Sequence, residues 1–281
     1  MTAPAAAPAA RRAIRPLAGT VRQTLRLTRT EFVLFYRYRM ALYVALLPVA
    51  FLLPAFITEG GEIRPGVDAG AYFLGGAFPM LAVTVGIVHV SNVYAARRES
   101  MILKRFRLSG VAPAALFGAT TLSVLGVVAV QSAAVIAVTA ALFGTLPADP
   151  VLLVASIVLV TVTMSLLGAV LSSVARNAES AQMISMIPFF GLLAVSGLYL
   201  PAELLPGWAL TITGLLPMAP AVDLARSAYF GRDFVAGADG AVATGIDLWL
   251  IAAPGLAVLL AWTALSIVLL RFVRWDPRRA K

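Results

Sequence analysis

The sequence predicts an all-α integral membrane protein. It has six transmembrane helices, an N-terminal amphipathic helix at the membrane interface, a short basic helix on the cytoplasmic side, and a re-entrant extracellular helical segment before the last span. Three observations predict this. Only 12% of the residues are charged and 60% are hydrophobic, whereas a soluble domain carries about 25% charge. The charges are clustered, leaving apolar runs of about twenty residues, the length that crosses a hydrocarbon core. The loops between those runs also alternate in charge.

Residues 1–16 are rich in Ala and Pro and read as a disordered tail. No apolar core follows Arg11–Arg12, so neither a cleavable signal peptide nor a twin-arginine signal is expected. Residues 17–39 follow as an amphipathic helix. Val21, Leu25, Phe32 and Phe35 share one stripe, and Arg22, Arg26, Arg29 and Arg37 a neighbouring one. Such a helix lies in the interface with its cations near anionic membrane lipids; an arginine-rich flank that only fixes topology is the alternative.

The six spans fall at about 40–57, 71–94, 113–143, 151–175, 183–200 and 248–271. Together with the interfacial helix they make one transmembrane domain, 17–275, and 276–281 is a tail. Segments 1–39, 95–112, 176–182 and 271–281 hold 19 Lys and Arg and 4 Asp and Glu, whereas the alternate loops hold 3 Arg and 9 acidic residues. The positive-inside rule then places both termini in the cytoplasm of a plasma (cell inner) membrane protein. It also explains the net charge of +9 without nucleic acid.

Residues 198–222 are apolar over spanning length but carry Pro201, Pro206, Pro217 and Pro220. Prolines at such intervals break long helices, and a seventh span would move the basic C-terminal tail outside. The segment therefore reads as short helices that dip into the outer leaflet and return.

Chemistry-bearing residues are few. There is no Cys and one His, His89, so no multi-histidine or thiolate metal site is expected. The six spans contain no Asp, Glu or Lys. Gln131 is open to a role in packing or in a translocation path, and His89 to the same two roles. A serine-protease pairing of Ser196 with His89 fails because the two lie at opposite depths. An ion-coupled secondary transporter is the alternative function, with His89 as its sole candidate group.

The stretch 96–110, ARRESMILKRFRLSG, lies between the second and third spans. On a helix, Ile102, Leu103 and Phe106 share a face with Glu99, while Arg97, Lys104 and Arg107 take the other side. Ser109–Gly110 ends it and Pro113 opens the next helix. A two-faced helix at the mouth of two spans is suited to docking another protein.

Arg98, Glu99, Lys104, Arg105, Arg107, Ser109 and Pro113 follow the order R-E-x-x-x-x-K-R-x-R-x-[ST]-x-x-x-P. Leu205, Pro206, Trp208, Leu216, Pro217, Val222, Asp223 and Arg226 follow L-P-x-W-x(8)-L-P-x-x-x-x-V-D-x-x-R. With these motifs on a six-span chain, the sequence resembles the ABC type-2 transporter permeases over about residues 20–275, most closely the drug- and antibiotic-export branch. Met101 departs from the pattern, which often has Gly there.

The resemblance implies a membrane-spanning permease subunit of an ATP-driven exporter. Its substrate would be amphiphilic: a drug, antibiotic, lipid or glycolipid. It implies that 96–110 holds a coupling helix seated on a separate ATPase subunit, present in two copies, with Arg98, Glu99, Lys104 and Arg105 making the contact. Glu99 would touch the ATPase or lock the helix to residues 17–39. Leu205, Pro206, Trp208 and Pro217 would form the extracellular gate region, where Asp223 and Arg226 either pair or cap a surface helix. The chain has no G-x-x-x-x-G-K-[ST] phosphate loop, so it is expected to be no enzyme and to bind no cofactor; ATP and Mg would sit on the partner. A homodimer, or a pair with a related permease, completes the assembly.

Overall fold

The computed structural model describes residues 17–37, 52–57, 61–199, 206–235 and 240–276. The tail 1–16, most of the first expected span, Leu205 and all but Asp276 of the C-terminal tail lie outside these residues. Among the described residues the regular structure is helical apart from a small hairpin and an isolated antiparallel bridge between Arg232 and Val242, which an all-α reading does not anticipate. Helix α1 covers Leu17–Arg37 and α2 covers 52–57. Strands β1 (Glu62–Arg64) and β2 (Val67–Asp68) pair antiparallel around Gly66, whose φ of 74° suits a residue without Cβ. This defines one end of the bundle, the hairpin end.

The second expected span is broken. Asp68 caps helix α3 (Ala69–Gly75), accepting from Gly70 N at 2.7 Å and Ala71 N at 3.2 Å. Gly75 and Gly76 end it. Helix α4 (Phe78–Val83) restarts at Pro79, continues through a π-helical turn, Thr84–His89, and ends as α5 (Val90–Glu99). Phe78–Glu99 is the central helix of the bundle, and most of it is buried.

Three long helices match the expected spans closely. Helix α7 runs Pro113–Phe143, with Pro at its first turn and Gly144 (φ 65°) just beyond its end. Helix α8 runs Pro150–Leu171, capped by Asp149, which accepts from Leu152 N at 2.9 Å. Helix α12 runs Ile246–Leu269. The fifth expected span is shifted. Asn177 and Ser180 form a capping box that starts helix α9 (Ala178–Ala194) early, and it is shorter than a full span.

Among the described residues, four helices are long and apolar enough to cross a membrane: Phe78–Glu99, Pro113–Phe143, Pro150–Leu171 and Ile246–Phe272. A fifth arises if helices α10 (Gly207–Gly214) and α11 (Met218–Phe230), bent by 85°, count as one. The bend falls at Leu216–Pro217, where the sequence places its helix breakers. Leu215 O accepts from Trp262 Nε1 of α12 at 2.7 Å, and Gly255 of α12 lies against Leu224 of α11.

The closest packing lies mid-bundle. A Cβ on Gly168 of α8 would overlap the carbonyl of Gly86 in the π-helical turn. A Cβ on Gly86 would lie 2.6 Å from Met164 Cβ. Backbone meets backbone here because neither position carries a side chain.

Helix α1 does not lie clear of the bundle as a separate interfacial helix would. Its Thr24 sits beside Gly118, and the Phe32 ring covers Gly126, so it packs along the first half of α7 in the same direction. Phe32, expected on the apolar stripe, touches α7 with its ring and stays 39% exposed. Val21 and Leu25 remain exposed.

Candidate functional site

The basic stretch 96–110 forms a corner between α5 and helix α6 (Ile102–Leu108). Ser100 Oγ donates to Ala96 O at 2.8 Å and stops α5. Met101 then turns the chain in the left-handed conformation, φ 62°. This is the position where the sequence pattern favours Gly, and the reason is now visible. An L-residue there costs about 1–2 kcal/mol. Helix α6 ends in a Schellman motif, with Val111 N donating to Phe106 O at 3.1 Å around Gly110 (φ 70°).

Three consecutive residues at the end of α5 hold three different elements. Successive helical side chains point about 100° apart, so one helical turn reaches three neighbours. Arg97 pairs with Glu31 of α1 at 2.5 Å, with both side chains largely buried. Arg98, buried, donates from Nη1 to Ser172 O and from Nη2 to Ala175 O, both at 2.7 Å. Ser172 is the C-cap of α8, so the guanidinium also meets the negative end of that helix dipole. Glu99 is exposed and accepts from Ala178 N, the first residue of α9, at 3.3 Å. Asn92 Nδ2 donates to Ala178 O at 3.0 Å beside it.

These positions correct two expectations. Arg98 does not face outwards for docking; it is buried, because it is the group that satisfies the carbonyls after α8. The tie between this corner and residues 17–39 is Arg97–Glu31, whereas Glu99 reaches α9. Lys104 and Arg105 are exposed as expected. On the apolar face, Leu103 is buried and Phe106 packs on the core, but Ile102 is exposed, as are Met101 and Leu108. Arg107 approaches Asp276 at 4.0 Å, both exposed, which contributes little.

Of the expected gate residues, Leu205 lies outside the described residues. Pro206 precedes α10, Trp208 on α10 is 71% exposed, and Pro217 is buried before α11. What organises the hairpin end is Arg226. Its helix, α11, is buried, so it is no surface helix with a charged cap. The Arg226 guanidinium donates to Gly197 O at 2.9 Å, Tyr72 O at 3.4 Å and Leu198 O at 3.5 Å. It lies 3.9 Å from the Tyr72 ring centroid, against Gly76. The signal was present: one arginine in an apolar helix needs a full set of acceptors. Around it stand Tyr72, Phe230 and Phe234, with ring centroids 5.2–6.5 Å apart.

His89 ends the π-helical turn, about halfway along the continuous helix Phe78–Glu99. Gln131 lies midway along α7, which packs on that π-helical turn. Ser132 on α7 and Thr161 on α8 are buried hydroxyls of two helices that pack together. No group of three or more metal-ligating side chains occurs among the described residues.

Residues 65–272 match the family model of ABC-2 family transporter proteins. The chain belongs to the ABC-2 transporter permease family. The match covers the α5–α6 corner, the α10–α11 bend and every helix from α3 to α12. No curated protein matches the chain significantly. An ABC-2 permease is the membrane subunit of a transporter that works with an ATPase subunit, so this chain is a membrane-embedded ABC transporter permease. The ion-coupled alternative, which dispenses with an ATPase, loses its ground.

Proposed function

We propose that this ABC-2 permease is the export channel of its transporter, with the α5–α6 corner as the seat of the ATPase. The observation that carries this is the corner itself. Arg97, Arg98 and Glu99 fasten it to α1, α8 and α9, while α6 leaves Ile102, Lys104, Arg105 and Leu108 exposed. A helix anchored at its root and free on its outer face transmits a push to three elements at once. Lys104 and Arg105 meet acidic residues of the ATPase, Ile102 and Leu108 its apolar surface, and Arg98 and Glu99 carry the movement inwards.

The assembly is a homodimer, or a pair with a related permease, on two ATPase copies that hold ATP and Mg. Six spans place both termini in the cytoplasm of the plasma membrane. The first span is supported by its flanks: Phe32 lies at Gly126 of α7, while Ala55 and Phe143, at the far end of α7, both border Gly70. The re-entrant reading of α10–α11 is supported by Arg226, which returns the chain to the level of Gly197 and Leu198. Pro206, Trp208 and Pro217, with Leu205, belong to the extracellular gate that this excursion forms. The spans are apolar, which suits an amphiphilic drug, antibiotic, lipid or glycolipid, and Gln131 and His89 border its path.

The test is copurification from the native membrane. The tagged protein should bring down an ATPase with a Walker motif. Lys104→Glu with Arg105→Glu should lose it while the permease stays monodisperse. Glu99→Lys should keep membrane insertion but abolish transport, because it places a cation at the N-terminus of α9. A charge-reversed α6 that still retains the ATPase would remove the docking role.

A further inference from the structure

Helix α1 precedes the residues matched by the family model, and its free face has a chemistry of its own. Thr24, Thr28 and Phe32 face α7, and Glu31 turns to Arg97. At about 100° per residue, Arg22, Arg26 and Arg29 then fall within about 60° of one another on the side turned away from α7. All three are exposed, as is Val33 at 48%, which falls among them, while Leu25 at 59% borders them on the Phe32 side. Cations interleaved with exposed aliphatic side chains suit neither water nor hydrocarbon alone.

The depth of this face follows from α7. Its 31 residues span about 46 Å at 1.5 Å per residue, against a hydrocarbon core of about 30 Å. At the hairpin end α7 stops at Phe143, and Trp249 Nε1 donates to Asp149 Oδ2 in the following loop, an arrangement typical of a membrane surface. The excess length therefore lies at the other end, in the first ten or so residues of α7, about 15 Å of helix. Thr24 and Thr28 pack on that stretch, at Gly118 and Ala119. The three arginines consequently point sideways from the bundle at headgroup depth, not downwards beside α6.

We propose that the outward face of α1 is a binding site for anionic phospholipid headgroups. Arg22, Arg26 and Arg29 hold the phosphates, and Val33, next to Phe32 at the deeper level of Gly126, lies against the acyl chains. The Glu31–Arg97 pair joins this site to the α5–α6 corner, so the anionic lipid content of the leaflet sets how firmly the corner is held. The proposed orientation enters only in naming that leaflet as the cytoplasmic one. Neither ATPase nor transport is needed to detect the lipid.

The experiment uses the full chain, purified from bilayers of mixed phosphatidylglycerol and phosphatidylcholine, with retained lipids counted by native mass spectrometry. The wild type should be enriched in phosphatidylglycerol, and added salt should reduce the enrichment. Replacing the three arginines by Gln should lower it by about five-fold per arginine removed. Replacing them by Lys should preserve it, since a phosphate is met by a point charge as well. Undiminished enrichment in a monodisperse Gln variant overturns the proposal. So does loss of ATPase binding in that variant with enrichment intact, which would give this face to a protein partner. If the Gln variant does not fold, wild-type enrichment that is indifferent to salt overturns it equally.

Discussion

Each end of the bundle is held by one buried arginine that donates to backbone carbonyls, yet the two are set in different surroundings. At the α6 end, Arg98 binds Ser172 O and Ala175 O between two other charged residues, Arg97 and Glu99. The exposed helix α6 begins just beyond. At the hairpin end, Arg226 binds three carbonyls from two separate segments and is boxed by Tyr72 and Gly76. Both groups follow one rule: a buried guanidinium is met by acceptors, here backbone carbonyls. The difference is in what they leave free. Arg98 fastens the root of a helix whose outer face stays exposed, the face proposed above to receive the ATPase. Arg226 ties α11 to the carbonyls of Tyr72, Gly197 and Leu198 beneath the Tyr72 ring, so no comparable face is left open around it.

The comparison is broken most directly at Arg226. Arg226→Ala removes donors from three carbonyls and leaves a void beside Tyr72. With about 1–3 kcal/mol for each buried unsatisfied group, the loss should be about 4 kcal/mol or more. Thermal melting of the purified protein should show a large drop or no folded species; an unchanged midpoint would mean Arg226 holds nothing. Arg98→Lys is the matched test at the other end. One ammonium does not reproduce the fork that reaches both carbonyls, so about 2 kcal/mol should be lost. If the Arg98→Lys variant melted like the wild type, the corner would not depend on a bidentate contact.

Between the ends, Gly168→Ala tests whether they are joined through a rigid centre. The new methyl meets the Gly86 carbonyl, which is backbone and does not rotate aside. A cost of about 1–3 kcal/mol is expected, together with weakened communication between ATPase binding and transport. Normal melting and transport would show that the two ends do not rely on this crossing. The smallest effect is at Met101. Met101→Gly relieves the left-handed turn and should hold the melting point or stabilise by up to about 1 kcal/mol. Met101→Val should lower it, because a branched side chain is a poor occupant of that conformation.

Much of this fold was legible in the sequence. Helix α7 begins at Pro113 and fills the expected 113–143, and the prolines of 201–220 foretold the α10–α11 bend. The Ser109–Gly110 ending of α6 was equally plain. These features are local: a proline, a glycine or a cap acts on its own turn of helix. The break at Gly76 was missed because the apolar run continues across it, and hydropathy does not register a change of direction.

What the sequence by itself determined is the membrane class, the lengths of the main helices and the separation of charge between loops, since each follows from composition and spacing along the chain. Only the tertiary structure decided the roles of the arginines. Arg97, Arg98 and Arg105 look alike in the sequence, but one pairs with α1, one caps α8 and one stays exposed. Burial depends on which neighbour each face meets. That is set by packing between distant segments, such as Gly86 on Gly168, and no local pattern encodes it.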